Sequence, residues 1–348
     1  MTGPRNLFRL PLQAMPRRWA RFCLNIDGFV QSRLQVPLPC STVLVGFSTG
    51  LDSTALLIWA AAMAEKHGFT VHAAHCNHGL RPEADQEAAM AAEMCTALDV
   101  PLHVAEIPVR EHCRARRIGI EEGGRELRYD FLHQVAENSK VDWILTGHHQ
   151  NDLAEDLLLR LIRGTGWPGL AGMQAVDRSR KLLRPFLHTP KAVLREFLSD
   201  LAVPWCEDDS NADPSFRRNR VRHELLPLLL RENPAFLQSV SRLWEQGERD
   251  NAFWLDRMDS AIMCTGPNRY VLPVSYLSEH PALRYRLYKK GLALLGPGQA
   301  LSDSLDRLDR IVSAGQPGKT VQFPGDKAAE LGREGVTFFL RDHRTKLK

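Results

Sequence analysis

The sequence predicts an α/β protein: a doubly wound, mainly parallel sheet followed by a smaller helical C-terminal domain. Three observations carry that reading. From Ser41 onward, short runs rich in Val, Ile and Leu alternate with segments of helical length, the pattern of a parallel sheet covered on both faces. Gly, Pro or acidic residues stand where each helical segment begins, as helix N-termini require. The 348 residues are enough for about two domains at roughly 150 each, without disulfide or metal staples.

In order, residues 1–40 read as an N-terminal extension. Its arginines, Arg5, Arg9, Arg17, Arg18 and Arg21, flank no continuous apolar core, which argues against a secretory signal. Strands are expected at Thr42–Phe47, Thr70–His75, Leu102–Ile107 and Trp143–Thr146. Helices are expected between and after them at Asp52–Lys66, Glu83–Leu98, Glu122–Ala136 and Asn151–Arg163. The Gly-rich turn Gly164–Gly169 and the run Arg184-Pro185-Phe186 lead to a further helix near Pro190–Leu201. Residues 41–222 then form one domain and 223–314 a helical one. The last stretch, 315–348, is a short tail with β-like runs at Thr320–Phe323 and Val336–Leu340.

Composition removes several classes. Apolar residues at 44% and charged residues at 25% are globular values. The longest apolar run, Ala55–Ala64, is far below the roughly 18 residues of a membrane-crossing helix. The net charge of +4 is too small to demand a polyanionic partner. Seven scattered cysteines without a CxxC pair fit reduced thiols and a cytoplasmic location.

The sharpest signal is the strand Val43-Leu44-Val45-Gly46-Phe47, followed by Ser48-Thr49-Gly50-Leu51-Asp52-Ser53 and an apolar helix. Backbone N–H groups at a helix start have no partner within the helix, and the hydroxyls of Ser48 and Ser53 add donors, so a pyrophosphate fits the turn. Asp52 would repel it unless Mg²⁺ bridges the two, which points to a metal-assisted nucleotide reaction. The alternative, that Ser48 or Asp52 merely caps the helix, is open at this level. Gly318-Lys319-Thr320 lacks the upstream glycine and the downstream helix of a Walker loop, and Gly46 and Gly50 lack dinucleotide-fingerprint spacing.

Ser48–Ser53 resembles the S-G-G-x-D-S pyrophosphate loop of the N-type ATP pyrophosphatases, which have the adenine nucleotide alpha-hydrolase-like fold. Downstream blocks narrow the resemblance to the tRNA(Ile)-lysidine synthases: His75-Cys76-Asn77-His78-Gly79, Thr146-Gly147-His148-His149-Gln150-Asn151-Asp152, Arg160-Leu161-Ile162-Arg163-Gly164, Trp205-Cys206-Glu207-Asp208 and Arg217-Arg218-Asn219-Arg220-Val221-Arg222. The resemblance implies a ligase. ATP adenylates the C2 oxygen of wobble cytidine 34 in a CAU-anticodon tRNA(Ile), and the side-chain amine of L-lysine displaces AMP. It implies ATP at Ser48, Thr49, Gly50, Leu51, Asp52 and Ser53, with Asp52 on Mg²⁺. It implies lysine at Asp152 and Glu155, and Arg125 against the ATP phosphates or the adenylate. Asp52, Asp152 and Arg125 are thus the expected catalytic residues. Thr49 and Asn151 depart from the family's Gly and Asp, and Asp156 stands where Thr is common.

Other residues carry chemistry on their own. Asp152, Glu155 and Asp156 share one helix face by their spacing, at the sheet end where open α/β folds bind ligands; capping of that helix is the plain alternative. Arg125 can equally pair along its own helix. Arg217, Arg218, Arg220 and Arg222 concentrate positive charge suited to tRNA phosphates, which position RNA without reading its bases. A zinc site at His75, Cys76 and His78 lacks a second ligand cluster. A homodimer, a tRNA thiolation enzyme of the same superfamily, and a non-catalytic tRNA-binding protein with a decayed loop stay open.

Overall fold

The computed structural model describes residues 11–77, 84–207, 217–298 and 300–341. The chain divides into two compact units, Met1–Gly247 and Glu248–Lys348. The first begins with helix α1 (Arg17–Gly28), strand β1 (Thr42–Gly46), α2 (Leu51–His67), β2 (Thr70–Asn77), α3 (Ala84–Leu98) and β3 (Leu102–Glu106). It continues with α4 (Val109–Arg116), α5 (Ile120–Asn138), β4 (Trp143–Leu145) and α6 (Gln150–Ile162). Short strands β5 (Val176–Asp177) and β6 (Leu182–Leu183) precede α7 (Lys191–Asp200), a single turn α8 (Arg217–Arg220), α9 (Leu226–Glu232) and α10 (Phe236–Met258), whose residues from Glu248 on belong to the second unit.

The sheet order is β3-β2-β1-β4-β6-β5. All neighbours are parallel except β5 against β6. In β1, Val43 and Val45 face a layer holding Leu56, Trp59 and Phe197, while Leu44 faces Leu132, Val135 and Ile144 on the other side. Both faces are covered, which is why β1 reads as an unbroken apolar run. From β1 the chain moves to β2 and β3 on one side, and β4 then returns to the other side of β1. Strand order therefore reverses between β1 and β4, and loops leaving their carboxyl ends diverge to open a crevice.

The expected divisions differ from the structure. Residues 1–40 contain α1, whose Trp19, Cys23 and Ile26 are buried in the main core. Trp19 donates to Asp200 at 2.9 Å and Trp59 donates to the Cys23 carbonyl at 3.1 Å. Arg17, Arg18 and Arg21 lie on the exposed side of α1 and obscured its period in the sequence. The boundary expected at residue 222 falls instead after Gly247. Packing explains the shift: Leu226, Val240 and Trp244 are buried with Leu153, Leu157 and Leu187, and Trp244 donates to the Met173 carbonyl at 2.8 Å.

The second unit is not only helical. It holds β7 (Met263–Gly266), β8 (Arg269–Pro273), α11 (Pro281–Leu294), α12 (Ser302–Ser313), β9 (Thr320–Phe323), β10 (Lys327–Leu331) and β11 (Gly335–Leu340). Its sheet runs β7-β8-β11-β10-β9, antiparallel throughout. The segment expected as a tail is therefore integral, since β11 pairs with β8 and its Val336 and Phe338 are buried among Leu287 and Leu308.

Candidate active site

The loop after β1 is folded by its own hydroxyls. Ser53 Oγ donates to the Gly50 carbonyl at 3.0 Å and accepts the Ser48 N–H at 3.1 Å, and Ser48 Oγ lies 3.1 Å from it. Gly50 is the extended N-cap residue of α2, and no side chain caps that helix. The capping alternative for Ser48 and Asp52 is thus not what the fold uses, and the N–H groups at the helix start have no side-chain cap. Thr49 sits at φ +60°. Its side chain is fully buried and donates to the Ser48 carbonyl at 2.6 Å. The Thr49 carbonyl accepts from Thr54 Oγ1 at 3.1 Å and from the Cys206 N–H at 2.9 Å, so the loop is pinned from behind. Leu51 is buried in the core and offers only its backbone.

Asp52 occupies the first turn of α2. Its Oδ2 lies 3.4 Å from His149 Nε2 and 3.8 Å from Lys191 Nζ, while its Oδ1 is buried without a hydrogen-bond partner. An orphaned carboxylate oxygen beside a phosphate loop fits a Mg²⁺ held by one carboxylate and substrate phosphates. Among the described residues no group of three His, Cys, Asp or Glu side chains forms a self-sufficient metal cage.

The loop after β4 rests directly on this turn. A Cβ on Gly147 would lie 3.0 Å from the Asp52 carbonyl carbon and oxygen and 3.2 Å from the Ser53 nitrogen, so any side chain there would press this backbone apart by a few tenths of an ångström. His149 then opens α6 through a reciprocal cap: its Nδ1 accepts the Asp152 N–H at 3.3 Å, and Asp152 Oδ2 accepts the His149 N–H at 3.0 Å. Burial pushes the His149 pKa down, but Asp152 and Asp52 outweigh it and hold the imidazole above its ordinary value. Burial would likewise raise Asp152, yet His149 and Arg218 keep it ionised well below the usual carboxylate range. His148 goes the other way. Desolvation, with Arg184, Arg218 and Arg128 nearby against the opposing pull of Asp152, lowers it to about 3, so it is neutral at physiological pH.

Asp152 and Glu155 are both buried, and two guanidiniums meet them. Arg218 reaches Glu155 at 2.9 Å and Asp152 at 3.0 Å, and Arg222 reaches Glu155 at 2.7 Å and 3.0 Å and Asp152 at 3.3 Å. The expected set of phosphate contacts therefore splits. Arg218 and Arg222, four residues apart, turn inward onto the acids, while Arg217 and Arg220 are exposed. Asp156 leaves the acidic face and pairs with Arg160 at 2.8 Å. Asn151 accepts the Lys191 N–H at 3.0 Å at the start of α7, a task an aspartate could also perform, so the departure costs that contact nothing. Arg125 is exposed with its guanidinium 5.0 Å over the Tyr129 ring. Arg128, one turn on, is one of three arginines, with Arg184 and Arg218, whose charge acts on His148.

Sequence reasoning missed His149, Lys191 and Gly147 as members of the site; the doubled histidine at a strand's carboxyl end was the available signal. His75, considered for zinc, is buried with Nδ1 2.9 Å from the Phe47 carbonyl, and His78 lies outside the described residues.

Comparison with known proteins agrees with this geometry. Residues 25–229 match the family model of the PP-loop domain, an ATP-binding domain. The chain is 41% identical over 315 residues to the tRNA(Ile)-lysidine synthase of Nitratidesulfovibrio vulgaris, covering 85% of this chain and 91% of that one. It is 38% identical over 213 residues to the tRNA(Ile)-lysidine synthase of Porphyromonas gingivalis, covering 61% of this chain and 46% of that longer relative. Among solved structures, the U34-tRNA thiolase NcsA from Methanococcus maripaludis superposes with a TM-score of 0.55 at 15% identity, over 66% of this chain and 80% of that one. That likeness speaks to fold alone. A pinned phosphate loop, an acidic pair one histidine away, and sequence identity running through both units converge: the chain belongs to the PP-loop family of tRNA(Ile)-lysidine synthases.

Proposed function

We propose that the chain is a carbon–nitrogen ligase that adenylates the C2 oxygen of wobble cytidine 34 in CAU-anticodon tRNA(Ile). The side-chain amine of L-lysine then displaces AMP, and the products are lysidine, AMP and pyrophosphate. One observation carries the reading: His149 touches Asp52 on one side, at 3.4 Å, and Asp152 on the other. The phosphate end and the acidic end of the crevice are thus adjacent parts of one site, as a two-step transfer on one atom requires.

Each residue has a physical task in that reaction. Backbone N–H groups at the start of α2 and the hydroxyls of Ser48 and Ser53 receive the phosphates. Asp52, through its unpartnered Oδ1, would hold Mg²⁺, which would supply charge neutralisation at the leaving pyrophosphate. Lys191 adds a second positive charge beside it, 3.8 Å from Asp52. Asp152 and Glu155 recognise the lysine ammonium. Because Asp152 is held ionised so firmly, it acts as a charge anchor and not as the acceptor of the amine proton, which needs a pKa near the working pH. Arg217 and Arg220 face outward for tRNA phosphates.

The test is direct. Protein incubated with CAU-anticodon tRNA, ATP, Mg²⁺ and labelled lysine is digested to nucleosides for mass spectrometry. Label in the wobble cytidine that depends on ATP is the expected result. An active preparation that incorporates no lysine, or that incorporates sulfur when a donor is supplied, would sink the reading.

A further inference from the structure

The acidic pair that would receive lysine is already paired with two arginines. Glu155 Oε1 accepts from Arg222 at 2.7 Å, and Glu155 Oε2 accepts from Arg218 at 2.9 Å and Arg222 at 3.0 Å. Asp152 Oδ1 accepts from both arginines, at 3.0 Å and 3.3 Å, and its Oδ2 accepts the His149 N–H at 3.0 Å. All four carboxylate oxygens have donors, and two guanidiniums cancel two carboxylates. An approaching ammonium must compete with two guanidiniums that already balance the charge of the pair.

The arginines stand on an irregular segment of helix. Arg218 belongs to the single turn α8, and Arg222 to the following π-helical turn Val221–Leu225. Pro227 explains that turn, because it has no N–H to give the His223 carbonyl. The helix instead closes from the Leu226 N–H to the Val221 carbonyl, a five-residue step. Arg217 and Arg220 on the same segment are exposed, so an RNA backbone that engages them approaches the ribbon carrying the inward pair. Phosphate competes with carboxylate for guanidinium through the same charge-assisted, two-pronged geometry.

We propose that Arg218 and Arg222 form a latch over the amine site, closed in the free protein and opened when RNA phosphates draw the Arg217–Arg222 segment outward. The latch would order the reaction, admitting lysine only after the tRNA has docked. The inference rests on the reading of Asp152 and Glu155 as the lysine site. A latch closed in ten of eleven molecules weakens apparent lysine affinity about tenfold.

Equilibrium dialysis of labelled lysine against the full chain, with and without CAU-anticodon tRNA, tests it. Lysine should bind at least about tenfold more tightly with tRNA, and Arg222→Met should bring the tRNA-free affinity close to the tRNA-bound one. Arg222→Lys, which keeps the charge but loses the fork, serves if the methionine variant does not fold, and should fall between. Equal lysine affinity with and without tRNA overturns the latch, as does a folded Arg222 variant with unchanged tRNA-free affinity. Glu155→Gln separates the two ideas. If it leaves lysine binding intact in the presence of tRNA, the lysine-site reading fails; if it abolishes binding while tRNA has no effect on the wild type, only the latch fails.

Discussion

Thr49 shows what a single residue contributes. At φ +60° it sits in backbone space that favours glycine, yet its buried hydroxyl and the contacts of its carbonyl hold the loop in shape. Thr49→Gly relieves left-handed strain but loses that hydroxyl bond and adds chain entropy to the unfolded state. The net change in stability should stay within about 1 kcal/mol, and the ATP KM within about twofold. Urea midpoints and initial rates check both. His148 gives a pH prediction. Its folded pKa of about 3 lies below the ordinary 6.5, so the unfolded chain binds the extra proton between those values. Its contribution to stability is present above pH 6.5 and is lost as pH falls from there towards 3, with a slope of at most about 1.4 kcal/mol per pH unit. His149, shifted upward, works in the opposite sense above its ordinary pKa. His148→Gln should therefore flatten the acid limb of a stability-against-pH curve measured by thermal melting; an unchanged limb would remove His148 as its source.

At the scale of elements, β1 to β4 and the helices α2, α3, α5, α6 and α7 were legible because a doubly covered parallel strand and an apolar helix leave clear runs, whereas α1, α4 and the two-residue strands β5 and β6 were not. The phosphate loop was legible because Ser48–Ser53 is contiguous. The partners of Asp152 and Glu155 were not, since Arg218 and Arg222 lie more than 60 residues away in sequence and a basic run looks the same whether it faces RNA or a carboxylate. Lys191 was hidden for the same reason, reaching Asp52 from a different helix. The seating of the β4–α6 loop on α2 predicts that Gly147→Ala separates the two elements. AMP formation should fall roughly ten- to a hundredfold with the circular dichroism spectrum unchanged; wild-type turnover would mean the loop has slack. For the basic segment, Arg217→Ala with Arg220→Ala should lower tRNA affinity and flatten its salt dependence by about one unit per lost phosphate contact.

For the whole molecule, the chain's own division follows packing and not composition. The charge cluster near Arg222 looks like a junction, but burial of Trp244 against the α6 layer carries the first unit on to Gly247. A fragment ending at Gly247 should melt cooperatively. One ending at Arg222 should not, because loss of Trp244 alone removes about 3–5 kcal/mol of core packing. Two strands of the second unit's sheet, β9 and β11, were visible as the runs Thr320–Phe323 and Val336–Leu340, whereas β7, β8 and β10, each five residues or fewer, did not stand out from loop. The central claim is that Asp52 and the Asp152–Glu155 pair are two halves of one site, the first serving adenylation and the second the amine. Pyrophosphate release and lysine incorporation measured side by side in Glu155→Gln test it most directly. Pyrophosphate release should stay within severalfold of wild type while lysine incorporation falls at least about tenfold. An unchanged lysine KM, or an equal fall in both partial reactions by a folded variant, would contradict it.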